Sequence, residues 1–227
     1  IKFVYKIVNI ISMEHLSVNN LKQIENEVQL KGSPAKIVVV SKSFEINDIL
    51  PVINYGHKDF GENRIQEAID KWSNLKKEKK DIKLHFIGKL QTNKVKFLLP
   101  LFDYIHSLDS LKLAKKISEE QKKKNFKPKI FIQINIGNEK QKTGILENDL
   151  QEFLKTCKET YDLDIIGLMC LPPNDSETEK YFAKMKALKN ENNLKNLSMG
   201  MSNDYLKALN FDSSFLRIGS KIFGQRN

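Results

Sequence analysis

Lys42 directly follows the run Ile37-Val38-Val39-Val40-Ser41, so its amine stands at the end of a strongly β-branched, strand-like segment. Partly withdrawn from water there, a lysine has a lowered pKa and a neutral amine able to condense with an aldehyde. A lysine that simply reaches out to solvent fits the same pattern. Two later segments offer anion chemistry. Ser198-Met199-Gly200-Met201-Ser202 precedes a helical pattern starting at Asn203, which makes Ser202 an N-cap whose hydroxyl and neighbouring N–H groups can turn to an anion. Arg217-Ile218-Gly219-Ser220 combines a glycine that admits close backbone approach with a second hydroxyl. Together they read as a phosphate cup, although a plain serine cap and a plain glycine turn account for either half. A guanidinium buried at Arg217 needs acceptors, either an acidic neighbour or the aromatic nitrogen of a bound cofactor. In Gly61-Glu62-Asn63-Arg64, Asn63 can meet a ring substituent, while Glu62 and Arg64 either pair or open the next helix. His85 and His106 read as satisfied core or lining histidines, because no His/Asp/Glu group has metal-ligand spacing.

Short apolar runs alternating with helical patterns must position these residues. The strand-like runs are Lys36 to Ser41, Asp59 to Gly61, Leu84 to Gly88, Tyr104 to Ser107, Lys129 to Ile136, Leu163 to Cys170, Leu197 to Gly200 and Phe215 to Gly219. Between them the spacing predicts helices over Ile46 to Tyr55, Arg64 to Leu75, Asn93 to Leu98, Ser110 to Lys123, Glu147 to Thr160, Glu177 to Asn190 and Asn203 to Leu209, with a short closing helix. A further amphipathic helix, Glu14 to Leu30, precedes the first strand. Eight such units predict an α/β fold, a single (β/α)8 TIM barrel with an extra N-terminal helix; a doubly wound open sheet shows the same alternation. Barrel function gathers at the C-terminal strand ends, with phosphate sites after strands seven and eight, where Ser202, Gly219 and Ser220 lie.

At 227 residues the chain fits one large domain, and its 40% hydrophobic and 29% charged residues are globular values. No segment approaches the length of apolar chain that spans a bilayer, so the expectation is a soluble protein with no membrane role. The net charge of +10 invites a nucleic-acid reading. The lysines argue against it: Lys76-Lys77, Lys79-Lys80 and Lys122-Lys123-Lys124 sit on helical patterns beside Glu78, Asp81, Glu119 and Glu120, as solvated faces do. Cys157 and Cys170 form neither a disulfide framework nor a CxxC pair, which fits a reducing cytoplasm. Residues 1–12 lack the apolar core and small-residue cleavage site of a secretory signal and are expected to be an unstructured or mis-annotated extension, leaving 13–227 as the barrel.

Many ordered motifs add to this. Val39-Val40-Ser41-Lys42, Phe60-Gly61-Glu62-Asn63, His85-Phe86-Ile87-Gly88, Leu90-Gln91-Thr92-Asn93-Lys94, Gln133-Ile134-Asn135-Ile136, Lys142-Thr143-Gly144, Gly167-Leu168-Met169, Leu197 to Ser202, Arg217-Ile218-Gly219 and Ile222-Phe223-Gly224 run through nearly the whole chain. With these the chain resembles the pyridoxal phosphate homeostasis proteins, a family related to the N-terminal barrel of alanine racemase. The resemblance implies pyridoxal 5′-phosphate as cofactor, Lys42 as its Schiff-base lysine and Arg217 facing the pyridine nitrogen. It further implies Ser202, Gly219 and Ser220 as phosphate ligands and Asn63 near the ring. Ser43-Phe44-Glu45 departs from the family's threonine and later proline after the lysine, and Lys89 stands where proline is frequent, which bears on loop shape.

An arginine cannot give up its proton, so it leaves the pyridine nitrogen unprotonated and weakens the ring as an electron sink. Alanine racemase has a tyrosine from a second domain as acid/base partner, and no such domain is expected in a chain ending at Asn227. The reading is therefore a monomeric carrier that stores, buffers and delivers the cofactor, meeting apo-enzymes transiently, and not an enzyme. A racemase or decarboxylase with Lys42 as base is the alternative, and a phosphate-binding barrel enzyme without this cofactor is a third.

Overall fold

The structure, a computed structural model, describes residues 15–139 and 141–224. The expected extension, residues 1–12, lies outside them. The strands are β1 Lys36–Val40, β2 Asp59–Glu62, β3 Lys83–Phe86, β4 Tyr104–Leu108, β5 Lys129–Ile134, β6 Asp164–Cys170, β7 Asn196–Met201 and β8 Phe215–Ile218. Each pairs in parallel with the next, and β8 pairs with β1 from Lys36 opposite Phe215 to Val39 opposite Ile218, closing an eight-stranded barrel. The closure rules out the open sheet.

Continuous apolar strands suit this architecture because both strand faces are covered. Ile37, Val39, Phe60, Leu84, Phe86, Ile132, Leu197 and Leu216 belong to the main hydrophobic core, into which apolar residues of the surrounding helices also pack. Val38, Tyr104, Phe131, Met169 and Phe215 form a second, smaller cluster inside the barrel. The helices are α1 Leu16–Leu30, α2 Ile46–Tyr55, α3 Ile65–Trp72, α4 Leu75–Glu78, α5 Val95–Leu98, α6 Leu111–Lys124, α7 Leu150–Lys155, α8 Thr178–Glu191, α9 Tyr205–Leu209 and α10 Ser220–Phe223. The extra N-terminal helix is α1. It is fixed across the chain's end: the Asn20 amide donates to Ile222 O at 2.9 Å, Tyr205 donates to the Glu27 carboxylate, and Lys221 Nζ donates to the Tyr205 hydroxyl at 2.7 Å.

The expected boundaries shift where side chains turn inward. The helix expected to run to Leu75 stops at Trp72, whose ring is fully buried, and the chain bends before α4. After α7 the chain widens into a π-turn at Thr156–Thr160, and Cys157 lies buried within it. Lys76 is not on a solvated face, since its ammonium reaches Leu101 O and the Asp103 carboxylate at 2.5 Å; Lys122, Lys123 and Lys124 are exposed as expected. Both cysteines are free and buried, and burial pushes both thiols up to about 12. Because the thiolate is the reactive form, iodoacetamide at about pH 8 should leave both unmodified in the native protein and label both in denaturant. Mass spectrometry of native protein carrying a label on either would overturn this.

Candidate functional site

The two-residue alternation of a strand decides which side chains face the barrel interior. Val38 belongs to the inner cluster, so the same face of β1 carries Val40 and, in the turn beyond, Lys42. On β2 that face carries Asp59, Gly61 and then Asn63, and a Cβ at Gly61 would lie 3.0 Å from Val38 Cγ1. Arg217 pairs with Val38 in the β8–β1 register. Lys42, Asn63, Ser202, Arg217, Gly219 and Ser220 thus all stand at or beyond the C-terminal ends of four neighbouring strands, β7, β8, β1 and β2.

Lys42 is half-buried in a tight turn. The Phe44 N–H donates to Ser41 O at 3.2 Å, and Ser43 takes φ 64°. Ser43 N–H donates to the Glu67 carboxylate at 2.6 Å, while the Lys71 ammonium holds Ser41 O at 3.0 Å. The Phe44 ring lies 4.5 Å from that of Phe223, which seats the Lys42 turn beside α10. Gly219 lies against β1 as well: a Cβ there would be 3.1 Å from Val40 O.

Glu62 and Arg64 do not pair. The alternation sends Glu62 away from the barrel interior and under α3, where it is fully buried. One carboxylate oxygen accepts from Ser41 Oγ at 2.8 Å, Lys71 Nζ at 3.0 Å and Trp72 Nε1 at 2.9 Å. This cluster anchors the turn that carries Lys42, and sequence reasoning missed it. The signal was there in the parity of Glu62 against Asn63 and in Lys71-Trp72 ending the apolar face of α3.

Ser202 is not a helix N-cap. The helix begins later, at Tyr205, and Asp204 takes the polar role in the turn by accepting from Met201 N–H at 2.6 Å. That leaves the Ser202 hydroxyl to accept from Lys221 N–H at 3.3 Å. This brings the serine against the first turn of α10, next to Ser220. Asn63 is placed by its backbone: the bare Gly88 packs on it so closely that a Cβ would sit 2.3 Å from Asn63 O. The Asn63 side-chain oxygen is enclosed and accepts no hydrogen bond within the described residues.

Arg217 is 4% exposed. Its guanidinium donates to Ser198 Oγ at 2.6 Å and to Cys170 O at 2.9 Å, both neutral acceptors. Among the described residues no carboxylate lies within ion-pair distance, so the acidic-neighbour option does not hold. Burial lowers its pKa, but a guanidinium stays cationic. Two neutral acceptors leave part of a five-donor cation unmatched, which suits an acceptor atom on a ligand. His85 and His106 are buried and hydrogen-bonded, as expected of core histidines. Among the described residues no group of His, Cys, Asp and Glu is arranged to hold a metal, and no helix is long and apolar enough to cross a membrane.

The alanine racemase N-terminal domain model matches residues 12–227. A pyridoxal phosphate homeostasis protein of Aquifex aeolicus is 37% identical over 201 residues, covering 85% of this chain and 87% of that one. Its namesake from Escherichia coli K12 is 32% identical over 225 residues, covering 92% and 96%. Among solved structures, PipY of Synechococcus elongatus with PLP bound is similar at TM-score 0.83 and 29% identity, covering 92% of this chain and 100% of that one. The alanine racemase of Clostridium difficile shares the fold at TM-score 0.73 and 16% identity, with 93% of this chain matching 57% of the enzyme. Identity above 30% along most of both chains, on the same closed barrel, places this chain in the pyridoxal phosphate homeostasis protein family.

Proposed function

We propose that the protein is a carrier that stores, buffers and delivers pyridoxal 5′-phosphate, held covalently through Lys42, with residues 13–227 as the binding unit. The observation that carries this reading is Arg217, a buried cation whose protein acceptors are both neutral. Bound there, the cofactor supplies a reactive aldehyde and a ring whose electron-withdrawing power depends on protonation of its nitrogen. Arg217 donates to that nitrogen and has no proton to yield, so it holds the ring in its weakly withdrawing form. That favours retention over turnover. Asn63 offers its side-chain amide to a ring substituent, and Ser202, Gly219 and Ser220 receive the phosphate where β7 and β8 end. The protein acts as a monomer in the cytoplasm and meets apo-enzymes transiently as recipients.

Purified protein mixed with pyridoxal phosphate should gain the visible band of a lysine-bound aldehyde, and Lys42→Ala should lose it. Borohydride reduction followed by peptide mapping should place the label on Lys42. A label elsewhere would overturn the assignment, and rapid exchange of amino-acid α-protons into deuterated solvent would overturn the carrier role.

A further inference from the structure

Inside the barrel a single file of polar groups runs through otherwise aromatic packing. Arg217 Nη1 lies 2.6 Å from Ser198 Oγ, which lies 2.8 Å from His106 Nδ1. His106 Nε2 lies 3.0 Å from His85 Nδ1, and His85 Nε2 lies 2.9 Å from Asp59 Oδ1. Asp59 opens β2, at the end of the barrel opposite the strand ends that carry Lys42 and Asn63.

The two ends of the file fix the direction of every bond. A guanidinium only donates, so Ser198 Oγ accepts from Arg217; its second lone pair could accept from His106 as well, and it is the carboxylate end, with both rings neutral, that sends the one Ser198 proton to His106 Nδ1. His106 must then carry its proton on Nε2 and donate to His85 Nδ1. His85 carries its own on Nε2 and donates to Asp59, a carboxylate that only accepts. No group is left with a clashing or missing proton when both rings are neutral. Burial, the largest cause in each case, lowers the pKa of both histidines, and Asp59 is held low by the His85 bond against its own burial. Packing holds the rings still: Tyr104 stacks on His85 at 4.2 Å and Phe131 on His106 at 4.5 Å.

We propose that Ser198, His106, His85 and Asp59 are positioning residues for Arg217, forming a one-way hydrogen-bond chain that aims the guanidinium at the cofactor ring. The chain also explains how Arg217 is tolerated without a carboxylate beside it. The file ends on a carboxylate, Asp59, and each intervening dipole points its negative end toward the cation, while Asp204 acts on Arg217 from beyond ion-pair distance. This rests on the reading of Arg217 as the residue at the ring nitrogen.

The first test needs no cofactor. Nitrogen-15 NMR of imidazole-labelled protein at neutral pH should show His85 and His106 neutral with the proton on Nε2; a doubly protonated ring, or one carrying its proton on Nδ1, would overturn the chain. The second uses pyridoxal phosphate itself. Ser198→Ala and Asp59→Asn should each weaken its binding about tenfold and move the pH midpoint of the visible band in the same direction as Arg217→Gln does. Asp59→Asn is nearly isosteric at the more exposed end, so it reports even if Ser198→Ala folds poorly, and a cooperative melt verifies it. Wild-type affinity and midpoint in Asp59→Asn would sink the positioning role. If Arg217→Gln itself changes neither, the ring assignment fails and this proposal with it, whatever the tautomers show.

Discussion

Lys71→Met should destabilise the fold by about 3–5 kcal/mol, the range expected when one partner of a buried ion pair is removed and the other charge remains. Glu62 is fully buried and the Lys71 side chain is only 7% exposed, so water cannot replace the lost ammonium without opening the space beneath α3. Ser41 and Trp72 would still donate to the stranded carboxylate, and two neutral donors do not offset its desolvation. Glu62→Gln should cost less, because an amide keeps the shape, can accept from Ser41 and Trp72, and leaves Lys71 its Glu67 partner at 3.2 Å. Adding Glu62→Gln to Lys71→Met should recover part of the loss, since the charge that needed the lysine is gone. Urea denaturation of the three variants measures this, and a Lys71→Met cost under about 1 kcal/mol would mean that the pair is solvated as a surface pair is. The same substitution releases Ser41 O from its ammonium, so cofactor binding at the neighbouring Lys42 should weaken in step with stability.

The barrel was legible in the sequence because its signals are local and repeated. Each parallel strand is a short β-branched or apolar run, and each helix has its own period, so counting alternations is enough to find eight units. What was not legible depends on which strands become neighbours. Arg217 and Ser198 lie on adjacent strands, but nothing in the sequence places Ser198 Oγ against His106, 92 positions away. The histidines were read one at a time as core residues, and that is correct for each. Their direction as a chain follows only once Asp59 and Arg217 are known to be its ends. Ser202 shows the same limit at closer range. Its N-cap reading used a good local rule, and Asp204, two positions on, satisfied that turn instead.

The stability of the protein should fall steeply as the pH drops below about 6.5, before the bulk of its carboxylates titrate. His85 and His106 are both fully enclosed, and burial lowers both pKa values; Asp59 opposes the shift at His85, while His85 and Arg217 reinforce it at His106. In the unfolded chain both rings bind protons near pH 6.5, whereas the native rings resist, so acid favours unfolding. Their contribution is complete above that pH and is lost as pH falls toward the native pKa values, further for His106, which lies well below the ordinary value, than for His85. Each ring adds up to about 1.4 kcal/mol per pH unit within its window, so two acting together approach about 2.7. A general repulsion from the net charge of +10 also grows in acid, but salt screens exposed charges and does not relieve the desolvation of a buried imidazolium. Urea midpoints measured from about pH 7.5 to 5.5 should therefore keep most of their pH slope in about 0.5 M salt. A slope that disappears in salt would assign the acid sensitivity to the surface, and a flat profile would mean that neither ring is neutral by necessity in the native barrel. His106→Asn separates the two rings: with no ionisable group at that position the slope should drop by about half, and what remains belongs to His85.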